Sequence, residues 1–362
     1  MRWAVPRRTG CWRGRRFCRS RAAGFAQWSL ADLDREERGW QSGRVSFLVI
    51  PTTFTRSLLA LLLAGFVANS TAVAQETAGE EAVRRNAALS SLPKDAARRL
   101  FGGMTSAAPG QPRIVGEYWK GCYTGGVRLP ASAEHWQVMR LSRNRNWGHP
   151  RLVSFLERFA RTAAGETGWP GILVGDLSQP RGGPMLTGHS SHQLGIEADI
   201  WLRPMPRQPF SPAQIEEERS TDLVRSDRKD VDPKIYTRQH LAILRAAARE
   251  PEVARVFVNA AIKKALCRDA GDDRSWLRKI RPAAGHNYHF HIRLACPAGQ
   301  AGCRDQAPPD EGDGCGKDLD YWFSAAVLEA KPGPAAKPLS FAEMPKECRE
   351  LLIAPTAGRS AS

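Results

Sequence analysis

The chain has 362 residues, of which 42% are hydrophobic and 25% charged, enough for one large core or two small ones. Its formal net charge is +16, and residues 1–74 and 75–362 each carry +8 of it. Because the second part is only mildly basic and has no basic run interleaved with aromatic residues, its composition does not indicate a nucleic-acid binder.

A segment near the N-terminus has the pattern of a secretory signal peptide. Arg56 precedes an apolar run at 58–67, and Ala72-Val73-Ala74 stands directly before Gln75, which matches the basic, apolar and small-residue parts of such peptides. The run is short for a spanning helix, although an uncleaved membrane anchor is the alternative. We therefore expect residues 45–74 to be removed on export, with no stable membrane span afterwards and an anionic cell-wall or membrane-associated polymer as partner.

Composition divides the chain on both sides of the predicted signal peptide into further segments. Residues 1–44 are Arg-rich without apolar periodicity, so we expect a spurious or disordered extension, with translation beginning near Val45. Residues 75–112 are rich in Ala, Ser and Arg and predict a flexible lead-in. The folded domain is expected over 113–327, followed by a Pro-, Ala- and Lys-rich tail over 328–362 that Cys348 ties down.

Helical spacing is clearest after Pro150. Apolar residues recur at three- and four-residue intervals from Leu152, and Pro150 and Gly165 suit the two ends, which predicts a helix over 150–164. His149 is placed to cap it. Further helices are predicted over 241–248 and 260–267, and buried strands over 171–176 and 253–258.

Two segments alternate strictly between apolar and polar residues. Residues 195–202 place Asp199 on the face opposite to the apolar side chains, and residues 289–294 place His289 and His291 on one face. Both segments predict strands with one face in the core. Long loops are predicted over 203–235 and 295–316.

Six cysteines lie in the part expected to be exported: Cys122, Cys267, Cys296, Cys303, Cys315 and Cys348. An even number in an exported chain predicts up to three disulfides, and spacing leaves fifteen pairings open. A zinc ribbon is disfavoured because no CxxC pair occurs.

Five of the eight histidines fall in two clusters, at 188–192 and 285–291. A catalytic zinc needs about three nitrogen or oxygen ligands and an open position. His192, Asp199 and His291 supply them if Gly195 makes the turn between the first two. His289, on the same strand face as His291, is then placed to transfer protons. This set predicts hydrolysis of a peptide or amide by a metal-activated water.

Some polar residues have other interpretations. Glu197 shares the face of Asp199 and is an alternative ligand. His135 and His240 stand alone, which favours structural or solvated roles. For the two clusters themselves, the alternative is a non-catalytic metal site or polar loops.

The sequence resembles the penicillin-insensitive murein endopeptidases, within the lysostaphin, D-Ala-D-Ala metallopeptidase and hedgehog fold group. The group signature, His, six residues, Asp and a later His-x-His, matches at His192, Asp199 and 289–291. The closer resemblance covers roughly 121–352. It is carried by Asn144-Arg145-Asn146-Trp147-Gly148-His149-Pro150, Gly175-Asp176, Met185-Leu186-Thr187-Gly188-His189-Ser190-Ser191-His192-Gln193, Arg255-Val256-Phe257-Val258-Asn259 and Asp313-Gly314-Cys315-Gly316.

The resemblance implies an α+β fold with a mainly antiparallel central sheet, flanking helices, long loops and disulfides. It implies a periplasmic zinc enzyme that cuts D-alanyl to meso-diaminopimelyl cross-links of peptidoglycan. The implied ligands are His192, Asp199 and His291, with His289 as base and His286 assisting. Penicillin would not inhibit it, because no serine is acylated.

The resemblance also implies a second metal position and three disulfides. The metal position corresponds to His189, Asp227 and Asp230, where Asp230 replaces the family's histidine and leaves the second metal open, since a carboxylate suits Mg or Ca better. The implied pairings are Cys122 to Cys348, Cys267 to Cys315 and Cys296 to Cys303.

Two other functions stay open at this point. A zinc D,D-carboxypeptidase would need a cation to bind the terminal carboxylate, for which Arg181, Arg203 and Arg228 are candidates. A zinc-stabilised cell-wall binding module would need no base beside the metal. The oligomeric state is also open, a homodimer included.

Overall fold

A computed structural model of the chain describes residues 92–93, 95–330 and 337–353. The predicted extension at 1–44 and signal peptide at 45–74 lie outside the described residues. Among the described helices, none is long and apolar enough to cross a bilayer. The helices are α1 (Ala96–Gly102), α2 (Pro150–Thr167), α3 (Pro212–Glu217), α4 (Arg238–Arg249), α5 (Ala260–Asp269), α6 (Lys317–Tyr321), α7 (Ala325–Leu328) and α8 (Lys346–Ile353).

The described strands are β1 (Arg113–Glu117), β2 (Lys120–Thr124), β3 (Val127–Arg128), β4 (Ser132–Ala133), β5 (Trp136–Val138), β6 (Trp147–Gly148), β7 (Ile172–Val174), β8 (Glu197–Pro204), β9 (Val253–Val258), β10 (Ile280–Pro282) and β11 (His289–Leu294). Seven of them form a mixed sheet in the order β10-β9-β11-β8-β7-β5-β4, and β1 with β2 and β3 with β6 form two smaller sheets. The neighbours β9/β10 and β5/β7 are parallel and the other four pairs are antiparallel, which confirms the predicted α+β class with a mainly antiparallel sheet.

Strands β8 and β11 pair at the centre of the sheet. His291 lies opposite Asp199 and Arg293 opposite Glu197. Because opposite residues of an antiparallel pair point to the same side, these four side chains share one face. The intervening pair, Ile292 opposite Ala198, faces the core with 0% exposure. The alternation predicted for both segments is confirmed.

Helix α2 packs its apolar side into the core, where Leu152, Phe155 and Phe159 are at most 1% exposed. His149 caps the helix as predicted, since its Nδ1 accepts a hydrogen bond from the backbone N–H of Arg151 at 3.2 Å. The predicted end at Gly165 is wrong. The helix runs on to Gly168, whose φ of 71° makes it the left-handed terminator.

Residues expected to form a flexible lead-in and an exposed tail include a second hydrophobic cluster. In the described part of these segments, Phe101 on α1 and Phe341 before α8 are buried. They pack around Cys122 and Cys348, which form a disulfide. The structure differs from the expectation because two short, weakly periodic segments bury each other. Each segment buries its apolar side chains against the other, and neighbouring residues in the sequence do not indicate this packing.

The three disulfides implied by the resemblance are all confirmed. They join Cys122 to Cys348, Cys267 to Cys315 and Cys296 to Cys303. The last closes a seven-residue separation just after β11. The first spans 226 residues and attaches α8 to β2.

Candidate metal centre

Three imidazoles surround one carboxylate oxygen on the polar face of β8 and β11. Oδ1 of Asp199 lies 3.4 Å from Nε2 of His192, 3.3 Å from Nδ1 of His291 and 3.7 Å from Nε2 of His289. The other oxygen, Oδ2, lies 3.5 Å from Nε2 of His189. His192, Asp199 and His291 are at most 5% exposed. The structure thus brings together the residues that the two sequence clusters predicted.

His192 reaches this point from a loop through an unusual backbone conformation. Its φ is 66°, and Gly195 three residues later has a φ of 67°, a region that is costly for a non-glycine residue. A Cβ on Gly195 would lie 2.6 Å from the Tyr123 ring, so the predicted glycine turn requires glycine. The Nδ1 of His192 contacts the carbonyl oxygen of Leu177, which directs Nε2 to Asp199.

Glu197 supports both histidines from behind. Its Oε1 accepts hydrogen bonds from Nε2 of His291 and Nε of Arg293, each at 2.8 Å, and its Oε2 accepts one from the backbone N–H of His192 at 2.6 Å. Burial raises the pKa of Glu197, but the charges of Arg293 and His291 outweigh it and hold the pKa well below its usual range. Both oxygens are therefore occupied, which disfavours Glu197 as the alternative ligand.

The pKa values of these histidines are shifted in different directions because their partners differ. Burial lowers the pKa of His291, but Glu197 and Asp199 outweigh it and raise the pKa to about 9. Burial and the charge of His189 lower the pKa of His192. Burial raises the pKa of Asp199, yet the surrounding histidines reverse this and hold it well below its usual range.

The buried donor atoms fit a metal ion. Among the described residues, Nε2 of His192 and Oδ1 of Asp199 are buried side-chain atoms without a hydrogen-bond partner, a condition that costs free energy unless another group satisfies them. Ligand atoms of His189, His192 and Asp199 lie within 4.8 Å of one another. Imidazoles and a carboxylate are the donors that zinc and related ions take.

His289 and His286 lie beside this group. Burial lowers the pKa of His289, and its Nδ1 has no hydrogen-bond partner among the described residues. The His286 ring lies 4.9 Å from the His289 ring, and burial together with His289 lowers the pKa of His286 to about 4. Both rings are therefore neutral near pH 7 and able to accept a proton.

The acidic residues assigned to a second metal position have other partners. Asp227 pairs with Arg225 at 2.5 Å, and Asp230 with Arg268 at 3.2 Å. Within the described residues, neither aspartate belongs to the group of ligand atoms around His189.

Asp176 lies in the Gly175-Asp176 motif, but no role was predicted for it from the sequence. Its Oδ2 lies 3.0 Å from Nε2 of His189, 2.8 Å from Nη1 of Arg145 and 3.2 Å from Nη1 of Arg143. Burial raises its pKa, but His189 and Arg145 outweigh it and hold the pKa at about 2. Its position just after strand β7 was the available signal, because polar residues at strand ends often belong to sites.

A cavity of about 130 Å³ opens on the candidate metal-binding group. None of the arginines predicted to bind a terminal carboxylate lines it: Arg181 donates to the Leu351 carbonyl, Arg203 pairs with Glu218, and Arg228 lies in the exposed loop after β8. The lining residues are Arg140, Arg143, Gly175, Asp176, His189, Asp199, Trp201, Ser220, Tyr288 and His289.

Two of the three histidines outside the clusters, His135 and His240, lie within hydrogen-bond distance of backbone carbonyl oxygens. His240 is buried and its Nε2 lies 3.2 Å from the Leu202 oxygen, while Nδ1 of His135 lies 3.1 Å from the Pro170 oxygen. These contacts support the structural roles expected for them.

Comparison with known proteins agrees with the geometry. A family model described as penicillin-insensitive murein endopeptidase matches residues 114–353. Proteins named penicillin-insensitive murein endopeptidase are similar to this chain in Haemophilus influenzae (44% identity, 68% of this chain and 84% of the relative), Klebsiella pneumoniae (42%, 69% and 89%) and Yersinia enterocolitica (41%, 69% and 88%). With two thirds of its length matched, and the buried histidines and aspartate inside the matched region, the chain belongs to the penicillin-insensitive murein endopeptidase family.

Proposed function

We propose that this protein is a zinc-dependent murein endopeptidase that hydrolyses the D-alanyl to meso-diaminopimelyl cross-links of peptidoglycan, in the periplasm. The observation that carries the proposal is the convergence of His192, Asp199 and His291 on one buried point beside His289. Family membership supports murein as the substrate, since the relatives are named for acting on it.

His192, Asp199 and His291 are the proposed zinc ligands. His192 bonds through Nδ1 and His291 through Nε2 to groups behind them, so each presents its other nitrogen to Asp199. Such outer contacts orient histidine ligands in metal sites. The nitrogen of His189 that faces Asp199 already contacts Asp176 at 3.0 Å, which makes His189 the weaker candidate. When bound, zinc acts as a Lewis acid that polarises a carbonyl and acidifies a water ligand.

His289 is the proposed base. Its ring is neutral, buried and close to Asp199, so it is placed to take a proton from the attacking water and return it to the leaving nitrogen. Burial lowers the pKa of His289 against the attraction of Asp199 and leaves its ring able to accept a proton, with His286 beside it. No acylated serine is part of this scheme, so a β-lactam has no nucleophile to trap.

The substrate is tested by incubating purified sacculi with the mature protein and separating the muropeptides by chromatography. We expect cross-linked dimers to disappear as monomers accumulate, a chelator to stop the reaction, and zinc to restore it. Intact dimers with shortened monomer stems would instead show a carboxypeptidase. Binding to sacculi without any cleavage would show a binding module.

Two variants separate metal binding from proton transfer. We expect His192→Ala to lose both bound zinc and activity, because it removes a ligand. His289→Ala should keep zinc while its turnover falls about 10²- to 10⁴-fold, the usual contribution of a general base. Zinc content by atomic spectroscopy and dimer cleavage measure the two effects. Full activity in either variant would contradict the assignment.

A further inference from the structure

One exposed arginine faces the cavity beside the candidate metal-binding group. The Arg143 side chain is 50% exposed and lines the cavity together with Asp199 and His289. Its Nη1 lies 3.2 Å and 3.5 Å from the two oxygens of Asp176. The neighbouring Arg145 makes the shorter contact at 2.8 Å, and its side chain is 10% exposed. Asp176 is therefore neutralised by Arg145 and His189 without Arg143.

The other arginine of the cavity is engaged elsewhere. Nη2 of Arg140 donates to the Glu218 carbonyl at 2.7 Å, and its guanidinium lies 6.0 Å from the centre of the Trp201 ring. Arg145 is engaged as well, because its Nη2 donates to the carbonyl oxygen and the hydroxyl oxygen of Thr187. Of the two arginines that line the cavity, Arg143 is the exposed one, and its contact with Asp176 uses Nη1, so Nη2 of the guanidinium is the donor offered to a ligand.

The turn that carries Arg143 is held in place. Residues Leu141–Arg143 form a single 3-10 turn between Arg140 and Asn144, which have φ angles of 60° and 52°. Backbone N–H and hydroxyl groups of Ser142 both donate to the Glu216 carboxylate, at 2.9 Å and 2.6 Å. Non-glycine residues at positive φ persist where the surroundings impose them, often at functional sites. This turn directs the guanidinium to the cavity.

We propose that Arg143 is a carboxylate-binding subsite that recognises the α-carboxylate of the D-amino acid released from the scissile bond. The inference rests on the proposed function. In the cross-link, the amide nitrogen belongs to the D-centre of meso-diaminopimelate, and that carbon also bears a carboxylate. The carboxylate is thus one carbon from the nitrogen that leaves, so it enters the cavity when the carbonyl reaches the metal-binding group. A guanidinium binds it through two parallel hydrogen bonds.

The same chemistry has a second source, because the terminal D-alanine of a pentapeptide also carries an α-carboxylate next to the scissile nitrogen. The subsite therefore fits both leaving groups. The experiment must present each of them.

The test compares three substrates on zinc-loaded protein: a cross-linked tetrapeptide dimer with a free carboxylate at the D-centre, the same dimer with that carboxylate amidated, and a monomer pentapeptide. We expect the wild type to prefer the free carboxylate about 10- to 100-fold in kcat/KM, mainly through KM, as expected for a charge-assisted pair. Arg143→Gln should abolish the preference, and Arg143→Lys should keep part of it. Cleavage of the pentapeptide shows whether a terminal carboxylate is also accepted.

A matched control and a structural readout separate recognition from support. Arg161→Gln changes an exposed arginine of α2 outside the cavity and should leave all three rates unchanged. Zinc content and the unfolding midpoint of Arg143→Gln should match the wild type. Equal losses on the free and amidated dimers, or a preference that survives in Arg143→Gln, would overturn the subsite alone. A wild type that cleaves no dimer would overturn the proposed function and the subsite with it.

Discussion

The two faces of the β8–β11 pair are both buried but are stabilised in different ways. On the core face, Phe290 and Ile292 are 0% exposed and touch other apolar side chains. On the opposite face, Glu197 is equally buried, and Asp199 and His291 are at most 5% exposed. Burial therefore does not distinguish the faces. What distinguishes them is whether each buried atom needs a specific partner.

On the core face, stabilisation comes from removing apolar surface from water, which is non-directional. On the polar face, a buried charge is tolerated only where opposite charges and hydrogen bonds meet it. Glu197 shows the consequence, because one carboxylate accepts from His291, Arg293 and the backbone of His192. A substitution in the polar network should therefore disturb all of its members. A substitution on the core face should affect mainly its own position.

The largest expected effect is that of Glu197→Gln, which breaks the polar network. Removing one partner of a buried charge pair typically costs about 3–5 kcal/mol of stability, and losing an outer partner of a histidine ligand lowers metal affinity about 10- to 100-fold. Denaturant unfolding and chelator competition measure the two losses. Glu117→Gln, whose half-buried carboxylate pairs with Arg304, is the control and should change little. A Glu197→Gln protein with wild-type zinc affinity would contradict the network.

Lys263 sharpens the comparison, because it is a buried cation without a carboxylate partner. Its Nζ donates to the backbone carbonyls of Leu277 and Asp313, and it is 0% exposed. Burial lowers its pKa to about 7, against the attraction of the Asp313 carboxylate. The unfolded state, with a pKa of 10.5, then binds a proton that the folded state lacks. Stability must rise with pH across this window.

We therefore expect the wild type to gain about 2 kcal/mol relative to Lys263→Met between pH 7 and pH 9. Below pH 7 both states of the wild type are protonated, and the difference should become constant. Denaturant midpoints of the two proteins at each pH give the measurement. A difference that is flat from pH 7 to pH 9 would mean that Lys263 stays charged in the fold.

The smallest expected effect is that of Ile292→Val on the core face. Removing one buried methylene typically costs about 0.5–1.5 kcal/mol, and the side chain points away from Asp199. The free energy of unfolding should fall by that amount, while zinc affinity and cleavage per folded molecule stay at wild-type values. If zinc affinity fell as well, the two faces would be coupled through the strand.

The sequence was most informative where a property repeats along the chain. Strict alternation predicted which side chains of β8 and β11 share a face, and helical spacing located α2. The end of α2 was predicted wrongly, because Gly165 is accommodated inside the helix, whereas Gly168 adopts the left-handed conformation. The Cys122–Cys348 disulfide was expected from the resemblance, but the packing of α1 against α8 beside it was not predictable from spacing, because it joins buried side chains of segments that lie far apart in the sequence.

The same division holds at the candidate metal centre. Residue types and spacing alone selected His192, Asp199 and His291 and placed His289 beside them, since two-residue periodicity is a local property of an extended strand. The tertiary structure determines the surroundings of the other side chains. It places the Leu177 carbonyl beside His192, Asp176 beside His189, and Arg143 at the cavity. These contacts depend on which loops meet in space, and local spacing does not encode such meetings. Recognition of the substrate carboxylate, as proposed for Arg143, is therefore a property that the chain acquires only on folding.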